Sequence, residues 1–439
     1  MKKSFIFTYV MVVLGAIIGA GFASGKEIVS FFGKSGYLAI PFFLVVGGLF
    51  LFFFYVFCKL GKMIRPRSIS DLTNAMFGKL GVAVDFGFIL SSFITLSSML
   101  AGCDSVGTLV FGENYNFCYI SILTAMLVCV IVFFGLKYIY KVTNIISTIT
   151  VSMILLVIVL FMFSSNIETV SSTNLNFNFI STLIFSVLYV SMNTFSNIFI
   201  VSKSSEYMDK KQIGLANGIS SGVIMLIITL ILLSVMKGGD AIFTSDMPIV
   251  SMAFSISGVL GNVYSIVLWL AIFTTICVTA YTIVEWLNKY IKNKFICSVI
   301  VLTLGFIFSR FGFSTIVDVF YPIEGVFGAV FIIFSIIYYF KNKSIYEKEQ
   351  KILLNHLERM DNILKKENLN FTANELDYTK VKSISQREVN THKEKKQRRI
   401  SNSNDTDLKS EKNDDLKGLT VEKKNGEVVI KKIKKRSKT

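Results

Sequence analysis

The sequence predicts an all-α membrane protein of about ten transmembrane helices, set as a 5+5 inverted repeat with broken helices 1 and 6, and followed by a cytoplasmic C-terminal tail. Three observations predict it. Hydrophobic residues make up 53% of the 439, with 41 Phe, only 4 Pro and a mean hydropathy of +0.61, a balance foreign to soluble domains. Apolar runs of membrane-crossing length recur up to about Phe340 and then stop. The first run carries glycine at 15, 19, 21 and 25, and each glycine weakens a helix by ~1 kcal/mol relative to alanine.

In order, the spans are expected at 5–32 (broken), 38–58, 82–110, 117–136, 142–163, 177–201, 213–236, 263–287, 295–311 and 320–340. The stretch Ile249 to Val259, between two of them, reads as a re-entrant or interfacial helix. Loop charge supports this division. Lys2, Lys3, the basic segment 59–81, Lys137, Lys141, Lys203, Lys210, Lys211, Lys289, Lys292 and Lys294 fall on alternate loops, and only Lys26 and Lys34 are ambiguous. The positive-inside rule then puts both termini in the cytoplasm of a multi-pass protein of the cell membrane.

From Lys341 onward there are 26 basic and 16 acidic residues, so the tail holds +10 of the formal +16. Three parts follow: a membrane domain at 1–340, an amphipathic cytoplasmic helix at 341–368 and a disordered basic tail at 369–439. Leu353, Leu357, Met360 and Leu364 give the helix its apolar stripe. The tail's composition, ending in the polybasic run Lys431 to Lys438, fits contact with anionic lipid or a cytoplasmic partner and no nucleic acid.

Chemistry is narrowed by what the spans contain. Both histidines, His356 and His392, lie in the tail, and no C-x-x-C pair, catalytic carboxylate spacing or nucleophile motif occurs, so an enzyme and a cofactor are not expected. The six cysteines read as packing residues. Within the spans, two stretches stand out. The first is Gly15 to Gly25, where exposed backbone at membrane depth must be satisfied by something else. Gly15/Gly19 and Gly21/Gly25 also match a close-packing pattern for membrane helices, and a plain kink is a further reading. The second is Leu188 to Asn197 in the sixth span, with Ser191, Asn193, Thr194, Ser196 and Asn197 crowded together. Such polar groups either bond helix to helix or line a site. Five helices being odd, the second half is inverted, and the first helix of each half is where such carriers place their site.

Ile18-Gly19-Ala20-Gly21-Phe22 resembles the first-helix signature of the amino acid–polyamine–organocation superfamily. The longer block G-A-I-I-G-A-G-F-A-S-G-K-E is similar to the start of the bacterial YkvI-like membrane proteins. The resemblance implies the leucine-transporter-type fold. It also implies that the amides of Ala20, Gly21 and Phe22 face a substrate carboxylate, while the carbonyls of Ile17 and Gly19 take its amino group. Ser191, Asn193 and Thr194 would line the same site. On the eighth span, Ala271, Thr274 and Thr275 match the sodium-site pattern of the fold, with Gly15 and Ile18 carbonyls completing the ligand set. Threonines in a membrane helix can also simply bond back to their own carbonyls. No acidic residue is expected inside spans one or six, and Glu324 is expected at a solvated rim with Arg310 and Asp318. Phe22, Tyr189 and Phe195 are expected as apolar walls. The implied function is secondary active transport of an amino acid or similar amine-containing solute, coupled to sodium or to protons. The alternative is a ligand sensor on the same fold that signals through the tail.

Overall fold

The computed structural model describes all residues except 1, 67, 113–117, 135–138, 165–169, 172–173, 206–207, 209, 367–418, 425–426 and 433–439. Most of the polybasic run (433–438) and most of the expected disordered tail therefore lie outside the described residues. The chain divides into two compact units, Met1–Tyr346 and Glu347–Thr439.

The first apolar run is interrupted twice, giving α1 (Lys2–Ile17), α2 (Ala20–Ser24) and α3 (Lys26–Phe32). A 3₁₀ stretch at Gly33–Ala39 leads to α4 (Phe42–Ile64). Next, α5 (Ile69–Phe77) starts on a capping box, in which Asp71 N–H donates to Ser68 Oγ and Ser68 N–H donates to Asp71 Oδ2, both at 3.1 Å. The helices α6 (Gly81–Phe111), α7 (Tyr119–Phe134), α8 (Ile139–Met162) and α9 (Phe179–Ser204) complete the first half and open the second. Then come α10 (Lys210–Lys237), α11 (Gly239–Phe243), α12 (Pro248–Ile256), α13 (Gly258–Ile291) and α14 (Lys294–Ser309). The short α15 (Phe313–Thr315) and a π-turn at Ile316–Phe320 precede α16 (Tyr321–Lys366), which runs through the amphipathic stretch without interruption. Among the described residues, seven helical stretches are long and apolar enough to cross a membrane, and α7 and α14 are shorter apolar helices.

α12 falls where the re-entrant or interfacial helix was expected, with Ile249, Val250, Met252 and Ala253 buried. In the second unit, Leu419–Lys424 and Glu427–Lys432 pair antiparallel, where composition predicts no regular structure. Alternation in Val421, Val428 and Ile430, with an Asn-Gly dipeptide between the strands, is a hairpin signal that bulk composition hides.

Packing in the first unit is tightest where glycine lets backbones meet. α13 lies along α6, and α4 along α9. A Cβ at Gly61 of α4 would overlap the Ser202 carbonyl of α9, and one at Gly328 of α16 would lie 2.6 Å from the Ser191 carbonyl. A hydrogen-bonded knot reinforces the α4–α9 contact. Tyr9 donates to Asn217 Oδ1 at 2.6 Å and meets Cys58 Sγ at 3.1 Å, joining α1, α4 and α10. Ser202 Oγ donates to the Phe57 carbonyl (3.2 Å) and Ser205 Oγ to that of Cys58 (3.1 Å). A buried hydroxyl satisfied in this way contributes about 1 kcal/mol, and leaving it unpaired would cost more.

Candidate functional site

The α1 ladder ends on Ile18, whose N–H donates to the Leu14 carbonyl at 2.7 Å. Gly19 is extended (φ −76°, ψ −176°), and its N–H turns to the Ile17 carbonyl at 2.8 Å instead of that of Gly15. α2 starts at Ala20, so the amides of Ala20, Gly21 and Phe22 occupy a first helical turn, which has no acceptors of its own. The interruption falls on the predicted residues. A second one follows at Gly25, in the left-handed region at φ +81°. Ser24 Oγ stitches it by donating to the Gly21 carbonyl (2.6 Å) and accepting from Lys26 N–H (3.1 Å). From α13, Tyr264 donates to the Ala23 carbonyl at 2.6 Å and anchors the segment between the two breaks.

The sixth span differs from expectation. α9 is one continuous helix across Leu188 to Asn197. Its residues hold no glycine or proline, and the polar side chains bond along the helix. Asn193 Nδ2 donates to the Tyr189 carbonyl (3.1 Å), Ser196 Oγ to that of Met192 (3.1 Å) and Asn197 Nδ2 to that of Asn193 (2.9 Å). Ser191 Oγ and Thr194 Oγ1 are the exceptions, both buried without a hydrogen-bond partner. The expected aromatic walls separate as well. Tyr189 packs on Phe31, Phe32 and Phe50, whereas Phe195 stacks on Phe88 at 4.1 Å and meets Phe331. Phe22 is fully buried.

On α13, Thr274 Oγ1 and Thr275 Oγ1 both donate to the Ala271 carbonyl, at 3.0 and 2.9 Å. α13 packs against α2. Gly15 instead faces α8, where an added Cβ would lie 3.1 Å from Ser147 Cβ. A cavity of about 20 Å³ beside it is lined by Met11, Leu14, Gly15, Ser147, Thr148 and Val151, room for about one water.

Charged residues depart furthest from the sequence reading. Glu27, two residues past the second break, is 6% exposed, and Glu324 on α16 is 3% exposed, so one acid does lie inside span one and the other is no rim residue. Glu324 Oε1 accepts from Ser196 Oγ (2.6 Å) and from Ser91 Oγ. Lys26, also buried, reaches Asp318 at 3.8 Å. Arg310 pairs with Asp104 at 2.6 Å, and Asp104 also accepts from Ser121 Oγ at 2.8 Å. Glu27 falls inside the expected span 5–32, and the apolar residues on both sides of Lys26-Glu27 are the signal that it belongs there, against the expectation of no acid within that span.

No family model matches the chain. The uncharacterized membrane protein YkvI of Bacillus subtilis (strain 168) is 23% identical over 329 residues, 73% of this chain and 92% of the relative. The uncharacterized protein YyaD of the same organism is 24% identical over 336 residues, 75% and 96% of the two chains. Among solved structures, MhsT in complex with L-phenylalanine matches with a TM-score of 0.51 at 14% identity, over 75% of this chain and 87% of that one. A mutant of the Eremococcus coleocola manganese transporter matches at 0.51 and 14%, over 88% and 93%. The chain is thus a membrane protein of the leucine-transporter-type fold, similar in sequence to YkvI and YyaD.

Proposed function

We propose that the protein is a secondary active transporter of an amino acid or similar small amine-containing solute, working by alternating access around the Ile18–Gly19 break. That break carries the reading. It leaves the first-turn amides of α2 for a carboxylate, while the Ile17 carbonyl (accepting from Gly19 N–H) and the Gly19 carbonyl (accepting from Ala23 N–H) each keep a second lone pair for an amine. The unpartnered hydroxyls of Ser191 and Thr194 offer further polar contacts. MhsT, on the same fold, holds L-phenylalanine.

Sodium is the proposed coupling ion, held by Thr274, Thr275 and the Ala271 carbonyl with Gly15 and Ile18. The hydroxyls that donate to Ala271 keep their lone pairs for a cation. The test is counterflow of labelled amino acids in proteoliposomes, with and without sodium. Exchange that needs sodium supports the carrier. Binding without exchange favours the sensor reading, which the continuation of α16 to Lys366 motivates.

A further inference from the structure

We propose that Glu27 and Glu324 form a proton-carrying carboxyl pair in the core of the bundle, beside α2 and distinct in role from the amides of the helix break. As a driving device the pair rests on the transport reading; as a proton site it does not.

The geometry begins with Gly21. A Cβ there would overlap Glu27 Oε1, so its absence is what lets this carboxyl fold over α2. Glu27 Oε2 is buried and has no hydrogen-bond partner. Glu27 sits on α3, which packs against the π-turn Ile316–Phe320 that runs straight into the first turn of α16, where Tyr321 and Glu324 lie. Glu324 is itself held by the hydroxyls of Ser91 on α6 and Ser196 on α9. Tyr321 donates to Ser98 at 3.2 Å.

No compensating cation reaches the pair. Lys26 goes to Asp318, and among the described residues no lysine or arginine forms an ion pair with either glutamate. Lys34 and Tyr37, on the 3₁₀ stretch packed against α3, point to solvent. On α6, Asp85 accepts from Thr73 and Asp104 from Arg310, so neither turns toward Glu324. Two carboxyl groups at membrane depth with hydroxyl neighbours need a positive charge to neutralise them. Among the described residues no third His, Cys, Asp or Glu joins them, and a proton on one carboxyl supplies the neutralising charge without the further ligands that a metal ion requires. The proton would arrive from water on one side, form an O–H bond on one carboxylate, and leave to water on the other side. Movement of the α2–α3 segment about Gly19 and Gly25 would expose the pair in turn.

Infrared titration of the full chain in lipid nanodiscs tests this directly. The expected result is a buried carboxylic-acid C=O band that fades as pH rises, and that is removed or sharply reduced in Glu27→Gln and in Glu324→Gln. Should either variant fail to fold, Ser91→Ala with Ser196→Ala keeps both acids, and the midpoint of the band is expected to move. A titrating band untouched by all of these overturns the proposal, as does a band that sodium removes at constant pH. If the band behaves as expected but no amino acid exchanges in proteoliposomes, the pair stands and the transport reading falls.

Discussion

The first and sixth helices occupy matching places in the two halves, yet one is broken and the other is whole. In the first, Gly19 and Gly25 leave the helical path, and few side chains are available to bridge the gap. In the sixth, five polar residues in seven invite the expectation of a break, but three of them bond to carbonyls four residues back and reinforce the helix. Polar side chains in a membrane helix are thus poor predictors of interruption, because the low-dielectric surroundings favour bonds within their own helix. Glycine, which has no side chain to bond or to pack, is the better one.

Substitutions on the two helices can break or sharpen this contrast. The largest effect is expected at Gly21→Val, whose branched side chain must displace the Glu27 carboxyl. Counterflow is expected to fall roughly tenfold or more, about 1.4 kcal/mol or greater, with the protein still monodisperse on gel filtration. Gly25→Ala comes next. Its positive φ costs about 1–2 kcal/mol for any side chain, and its Cβ would lie 2.9 Å from Ile249 Cγ1, so the thermal midpoint should drop. Gly19→Ala meets open space at negative φ and should stay within about 0.5 kcal/mol of the parent. A Gly19 change as damaging as that at Gly25 would show that the first break needs glycine itself.

Thr275→Ala is expected to raise the sodium concentration for half-maximal exchange severalfold with no change in melting; unchanged dependence removes Thr275 from the ion site. On helix six, Asn193→Ala deletes one back-bond and should cost about 1 kcal/mol. Loss of helix content by circular dichroism would mean that α9 is held straight by its side chains alone. The smallest effect belongs to Asp240. Hydrogen bonds from the Ser171 hydroxyl, the Ser171 amide and Asn174 hold its carboxyl below the usual range. A pKa lowered on folding stabilises above the ordinary value of 3.8 and is lost as pH falls through the lowered one. The acid limb of a melting-versus-pH curve should therefore flatten slightly in Asp240→Asn.

The sequence makes the run of apolar helices and the interruption at Ile18–Gly19 legible, because hydropathy and glycine content are properties of a local window. What it hides depends on contacts far along the chain. Glu324 reads as a rim residue until Ser91 and Ser196, from two other helices, are seen to cover it. The burial of Glu27 is hidden too, although it falls inside the expected span 5–32, because its cover comes from the missing side chain of Gly21 and from tyrosines on α9 and α16. The straightness of α9 is also invisible in the sequence, since a serine that bonds backward and one that lines a site have the same letter.

The Tyr9–Cys58–Asn217 knot has a mechanical consequence. It clamps the N-terminal portion of helix one to α4 and α10, and through Ser202 and Ser205 to α9, whereas the stretch past Gly19 is pinned to α13 by Tyr264 and to the π-turn by Lys26. Gly19 and Gly25 bound the short stretch held by Tyr264, so any shift of α13 against α4 and α10 must bend the chain at those two joints.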